Sequence, residues 1–220
     1  MHTPALPRPA RLLTVIALLG MVAACAPTST TSALRAAEPE YAPGWNGVAV
    51  EDAPALPDVD LVDTGGEPFD LRRAAADKPT LVYFGYTHCP DICPVHMANI
   101  ASAMRNSPVR PDQFNVVFVT TDPDRDTPEA LDAYLGNFHA SFIGLTGSAG
   151  DIDDLVGGLG LPKPVLEKAS ESQTDEYTVG HPGQVLAFDR DGRARIAYPF
   201  GTRQSQWVED LPKLVREDWS

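Results

Sequence analysis

Two near-continuous apolar runs rich in β-branched and aromatic residues stand out, Thr80 to Tyr86 (TLVYFGY) and Asn115 to Thr121 (NVVFVTT). Runs of this kind predict strands buried on both faces. Shorter runs at Phe142 to Leu145 and Gln184 to Phe188 predict two more strands. Between them, Asp91 to Arg105, Thr127 to Phe138 and Ala149 to Leu159 carry apolar residues at helical spacing, so strands alternate with helices as in parallel crossover units. The pattern changes after Phe188. Asp189 to Gly192 predicts a hairpin turn into Ala194 to Tyr198, and Gln204 to Arg216 reads as a final helix with Trp207, Leu211, Leu214 and Val215 at helical spacing. Near the start, Gly65 and Gly66 followed by Phe69 to Leu71 predict a short hairpin arm. The expectation is an α/β fold, a central mixed β-sheet flanked by helices.

Elements in this order resemble a thioredoxin-like fold, and no internal repeat is visible. The N-terminus follows another pattern. Arg8 and Arg11 precede the apolar stretch Leu12 to Gly20, and small residues lead to Cys25. The apolar stretch is short of the roughly 20 residues a membrane span needs, so residues 1–24 read as an export signal that is removed. Val22 to Cys25 (VAAC) is similar to the lipobox of bacterial lipoproteins, which implies that Cys25 carries lipid and holds the mature chain on the outer face of the bacterial cell membrane. An uncleaved anchor and an ordinary signal cut near Ala24 are the alternatives. Ala26 to Ser32 (APTSTTS) has the composition of a flexible tether. Residues 25–52 are therefore expected to be lipidated cysteine plus tether, and residues 53–220 the folded domain.

Composition narrows the function. In 220 residues there are 17 Lys and Arg against 30 Asp and Glu, a net charge of −13, which argues against nucleic acid because backbone binding uses basic side chains to neutralise phosphates. Three cysteines are too few for a disulfide scaffold. With Cys25 assigned to lipid, Cys89 and Cys93 remain, and their chemistry is local.

Cys89 and Cys93 lie in Tyr86 to Pro94 (YTHCPDICP), where a buried strand ends and a helix begins. Sites gather at the carboxyl ends of strands in open α/β sheets. Pro90 and Pro94 suit a first helical turn, whose amides lack intrahelical partners. Both thiols are thus expected in that turn, where the positive end of the helix dipole favours thiolates. Residues i and i+4 on a helix have Cβ atoms about 5–6 Å apart, whereas a disulfide prefers roughly 3.5–4.5 Å. A disulfide therefore needs adjustment, while two metal–sulfur bonds of about 2.3 Å bridge the gap without strain. Soft thiolates select Cu(I) or Zn, and an exported protein meets copper. A structural disulfide and a metal-free redox pair remain open, although redox pairs are usually one residue tighter, C-x-x-C. A peroxidase, which wants one activated thiolate, fits less well.

Tyr86 to Met97 (YTHCPDICPVHM), Thr121 to Pro128 (TDPDRDTP) and a later His181 before a strand together resemble the Sco/SenC family, over about Leu56 to Trp219. Members are membrane-tethered thioredoxin-fold copper proteins that help assemble the binuclear copper centre of cytochrome c oxidase. The resemblance implies a copper ion held by Cys89, Cys93 and His181, and a copper-bearing oxidase subunit or another cuproprotein as recipient. Thiol–disulfide exchange by Cys89 and Cys93 is the alternative activity. The family histidine usually stands in Asp-His-Ser, whereas this chain has Gly180-His181-Pro182-Gly183.

The remaining candidates are weighed against simpler roles. His88 and His96 flank the cysteines and read as solvated or hydrogen-bonded, and His139 as structural. Asp126 to Glu129 (DTPE) reads as a capping box with Pro at the helix start. Asp122, at the strand end, is expected to hydrogen-bond near the metal or to meet a partner. Pro162 to His181 reads as a long polar connection, of the length at which loops tend to be functional.

Overall fold

A computed structural model describes residues 40–168 and 177–219. In chain order the strands and helices are β1 (Val48–Ala49), β2 (Leu61–Asp63), β3 (Pro68–Phe69), α1 (Leu71–Asp77), β4 (Thr80–Gly85), α2 (Ile92–Asn106), β5 (Asn115–Thr120), α3 (Pro128–Gly136), β6 (Phe142–Gly147), α4 (Ala149–Gly158), β7 (Val165–Lys168), β8 (Tyr177–Gly180), β9 (Val185–Phe188), β10 (Ala194–Tyr198) and α5 (Gln204–Arg216). The apolar runs at Thr80 and Asn115 become β4 and β5, adjacent, parallel and central in a mixed eight-stranded sheet of order β1-β10-β9-β4-β5-β6-β2-β3. β6 runs parallel to β5, while β9 pairs antiparallel with β4.

The two-residue side-chain alternation of the central strands divides the core into two layers. Tyr83 and Phe118 face one layer, with Met97 and Ile100 of α2, Leu131 of α3 and Trp207 of α5. Phe84 and Val119 face the other, with Ala75 of α1 and Ile152 and Leu155 of α4. Helices therefore cover both faces of the sheet. Among the described residues, none of the helices is long and apolar enough to cross a membrane.

Local chemistry adjusts several boundaries. The Gly65-Gly66 turn does join a hairpin, β2 to β3, with Gly66 at φ +79°. Its arm stops at Phe69 because Asp70 accepts a hydrogen bond from the Arg73 amide and caps α1, so Leu71 begins a helix. The packed domain begins earlier than the expected Ala53. Trp45 is buried and stacks on Trp219 at 5.3 Å, and β1 pairs with β10. Asn46 also donates to the buried Asp210 of α5. Cys25, the export signal and Ala26 to Ser32 lie outside the described residues.

The connection from Pro162 to His181 is the largest departure. β7 and β8 form a separate two-stranded antiparallel ribbon, with Val165 opposite Gly180 and Lys168 opposite Tyr177. Its polar composition hid the strands, because a ribbon outside the main sheet buries little and needs no apolar alternation.

Candidate metal centre

Cys93 is the second residue of α2 and is fully buried. Cys89 lies before the helix, in the turn that follows β4, where its amide donates to the Tyr86 carbonyl at 3.1 Å. Both thiols were expected in the first helical turn. Only Cys93 is there, because α2 starts at Ile92. Both cysteines are free thiols.

Asp126 holds this turn in place. It is completely buried and accepts from the Thr87 amide at 2.9 Å, the Thr87 hydroxyl at 2.6 Å and the Thr120 hydroxyl at 2.7 Å. The α3 cap belongs instead to Thr127, whose hydroxyl accepts from the Ala130 amide, with Pro128 first in the helix. The capping-box reading of Asp126 is therefore incorrect. Its carboxylate has three donors to satisfy in the core, and a cap would leave them unpaired. The end of β4 is equally tight. A Cβ on Gly85 would stand 2.8 Å from Cys93 Sγ and 3.0 Å from the Tyr83 ring.

The third side chain comes from the ribbon. His181 directly follows β8, and its Nε2 lies 3.5 Å from Cys93 Sγ. Its Nδ1 lies 3.0 Å from the Pro182 carbonyl, which only accepts, so Nδ1 carries the proton and Nε2 presents its lone pair to the thiols. The ring sits edge-on to Tyr86 at 5.6 Å and to Tyr83 at 6.1 Å. One ligand atom each from Cys89, Cys93 and His181 lie within 4.8 Å of one another, and among the described residues this is the group able to hold a metal. Trigonal coordination with bonds of about 2.0–2.3 Å needs donors about 4 Å apart, so small movements close the set. Two thiolates and one imidazole are soft donors that suit Cu(I) or Zn rather than Mg or Ca.

The thiols are electrostatically unlike. A hydrogen bond from Cys93 is the chief influence holding Cys89 down to about 3, against the opposing effect of burial. The amides of Asp91 and Cys93 act in the same direction as Cys93. Burial, and then neighbouring Cys89, push the Cys93 thiol up. Tyr83, whose hydroxyl donates to Cys93 Sγ at 3.5 Å, is itself raised, mainly by burial.

Asp122 is buried and forms an ion pair with Arg125. It also accepts from the Tyr177 hydroxyl at 2.7 Å, so it braces the ribbon. That hydroxyl is pushed up to about 12, first by burial and then by Asp122. Of the other histidines, His96 is buried with Nε2 3.0 Å from the Gly183 carbonyl, and His88 is exposed with Nδ1 3.0 Å from the Thr87 hydroxyl. His139 accepts from the Ser141 amide. The sequence reading did not single out Gly85, Tyr83, Tyr86 or Arg125. Tyr86 and Arg125 stand inside the two motifs, so their position was a usable signal. Gly85 and Tyr83 look like ordinary strand residues.

A thioredoxin-like domain with a dithiol at a strand end and an imidazole beside it is, by geometry, a soft-metal carrier or a dithiol reagent. The chain belongs to the SCO1/SenC family, whose model matches residues 50–216. A Stutzerimonas stutzeri relative named for copper binding is 36% identical over 164 residues, which are 73% of this chain and 77% of the relative. The copper-bound structure of Bradyrhizobium japonicum ScoI is similar with a TM-score of 0.62 and 29% identity, covering 71% of this chain and 96% of that one. A SCO1/SenC family lipoprotein of Bacillus anthracis shares the fold, with a TM-score of 0.59 and 22% identity over 75% of this chain and 98% of its own.

Proposed function

We propose that the protein is a copper carrier that binds one copper ion through Cys89, Cys93 and His181. It passes the ion to the copper-bearing subunit of cytochrome c oxidase or to another cuproprotein. Lipid on Cys25 tethers it to the outer face of the bacterial cell membrane. The observation that carries the reading is the meeting of three soft donors, within 4.8 Å, from the β4–α2 junction and from a separate ribbon. Family membership and the copper-bound relative support it. Anaerobic Cu(I) titration of the full-length protein in detergent, beside Cys89→Ser and His181→Ala, tests it. One tight equivalent that needs all three side chains is expected, and absence of tight copper overturns the reading. Labelling with a radioactive fatty acid that disappears in Cys25→Ser tests the anchor, and transfer of copper to the metal-free oxidase domain tests the recipient.

The unlike thiols favour a second activity of the same pair. Cys89, a thiolate at neutral pH, attacks one sulfur of a partner disulfide, and the partner's other sulfur leaves as thiolate. Cys93 then loses its proton and attacks Cys89 Sγ. The Cys89–Cys93 disulfide forms, the partner's first sulfur is released, and two electrons pass to the partner. His181→Ala separates the activities: disulfide reduction is retained and tight copper is lost. A variant that loses both ties the two activities to one geometry.

A further inference from the structure

In the segment carrying His181, Val179 and Pro182 are buried, while Gly180, His181 and Gly183 are only partly so. Gly180 and Gly183 flank His181 and Pro182, and a Cβ on Gly183 would meet nothing nearer than Ile92 at 3.6 Å. Yet the imidazole is aimed at the thiols. The backbone is gripped on both sides of the histidine, by residues that do not approach the donor atoms as ligands.

On the N-terminal side the grip is Arg125. Its Nη1 donates to the Tyr177 carbonyl at 3.2 Å, and its guanidinium lies over the Tyr177 ring at 3.6 Å. Asp122 holds the guanidinium by an ion pair and accepts from the Tyr177 hydroxyl, so one carboxylate fixes both partners. The same guanidinium sits 5.7 Å from the Tyr86 ring, which also meets the His181 ring. On the C-terminal side the grip is His96. The Gly183 carbonyl only accepts, so His96 Nε2 carries the proton and donates at 3.0 Å. The His96 ring is wedged between Tyr83 at 4.9 Å and Phe200 at 5.6 Å, and Tyr83 donates to Cys93 Sγ.

We propose that Arg125 and His96 are positioning residues that pin the His181 segment by the carbonyls of Tyr177 and Gly183, aiming the third ligand before copper arrives and slowing copper loss. This rests on the copper reading above and deepens it. Orientation of a ligand imidazole by its surroundings is worth about 10–100-fold in metal affinity. In this chain the two carbonyl clamps set that orientation, where Gly180 and Pro182 offer no side-chain hydrogen bonds.

The test uses the full-length protein in detergent, with His96→Phe, which keeps the ring stack but removes the donor, and Arg125→Lys, which keeps the charge but removes the fork. Two readouts are taken: transfer of Cu(I) to bicinchoninate, and amide hydrogen exchange over residues 177–183 in the metal-free protein. Each variant is expected to lose copper about 10–100-fold faster and to exchange faster in that segment, with exchange in β4 and β5 unchanged. In a His181→Ala background, where only weak binding by the two cysteines is left, the same substitutions are expected to leave that weak Cu(I) affinity unchanged. Copper loss like that of the wild type overturns the proposal, as does a weakening of Cu(I) affinity that is equal with and without His181. If the wild-type protein binds no copper, the carrier reading fails, and exchange in the metal-free protein still decides the clamp: no change over residues 177–183 overturns it.

Discussion

The cysteines and the histidine are held by regions built in opposite ways. Cys93 stands in the first turn of α2, against the end of β4, with its sulfur packed where Gly85 leaves no room for a Cβ. Asp126 pins the adjoining turn from within the core by accepting two hydrogen bonds from Thr87, and a third from Thr120 of β5 holds its carboxylate. His181 leaves a ribbon outside the main sheet, in which all four β7 residues are exposed, including Val165 and Leu166. Moving the buried thiol means opening the core, while moving the imidazole breaks the polar contacts of its segment together with packing at Val179, Pro182 and the Tyr83 and Tyr86 rings. Local openings span the range from near zero up to the global stability, and the exposed strand β7 has little burial to oppose them. For the proposed carrier this division would let the dithiol retain copper and the imidazole admit and release it.

Cys93→Ser should have the largest effect. It replaces a soft thiolate donor with a hydroxyl, and tight Cu(I) binding should disappear in anaerobic competition titration. Retained tight binding would remove the core half from the site. Gly85→Ala should join folding to binding on this side. The added methyl displaces Cys93 Sγ or the Tyr83 ring, at about 1–3 kcal/mol in denaturant unfolding, with weakened copper binding alongside. Asp126→Asn should cost about 1–3 kcal/mol, because an amide N–H₂ then faces groups that donate. Stability unchanged in both variants would mean that the cysteine side is not tied to the core.

The depressed Cys89 thiol sets a pH test on the metal-free protein. A thiol held down to about 3 is already thiolate throughout the neutral range and is protonated only as pH falls through that value. Iodoacetamide alkylation of Cys89 should therefore change by no more than about twofold from about pH 8 to 5, whereas an ordinary thiol slows about tenfold per unit below its pKa near 8.5. A tenfold fall per unit would contradict the asymmetry of the pair. The smallest effect belongs to the ribbon. Leu166→Ser, at a position 55% exposed, should shift unfolding by no more than about 0.5 kcal/mol. A large loss there would show that the ribbon shares the stability of the core.

Much of this was legible along the chain. β4, β5 and the final hairpin and helix stand at the apolar runs that foretold them, because elements buried against a core carry their periodicity in full. That Cys89, Cys93 and His181 come together was also expected from two motifs and one later histidine. α1, β7 and β8 were not legible. α1 is a short helix started by one capping aspartate, and the ribbon is too exposed to impose alternation. Asp126 was misassigned because the same four residues, DTPE, fit a cap one position earlier. Only the approach of Thr87, from a distant part of the chain, shows where the carboxylate is needed.

Taken alone, the sequence determined the kind of chemistry, two thiols at a strand end with a distant imidazole, since residue type and local hydrophobic period are properties of short segments. Tertiary structure decided the rest: which thiol is depressed, which imidazole nitrogen faces the sulfurs, and which side chains hold the histidine in place. Those outcomes depend on burial and on hydrogen bonds between residues far apart in the chain, such as Arg125 with Tyr177 and His96 with Gly183. Side-chain contacts of that kind arise only when the strands and the ribbon are brought together.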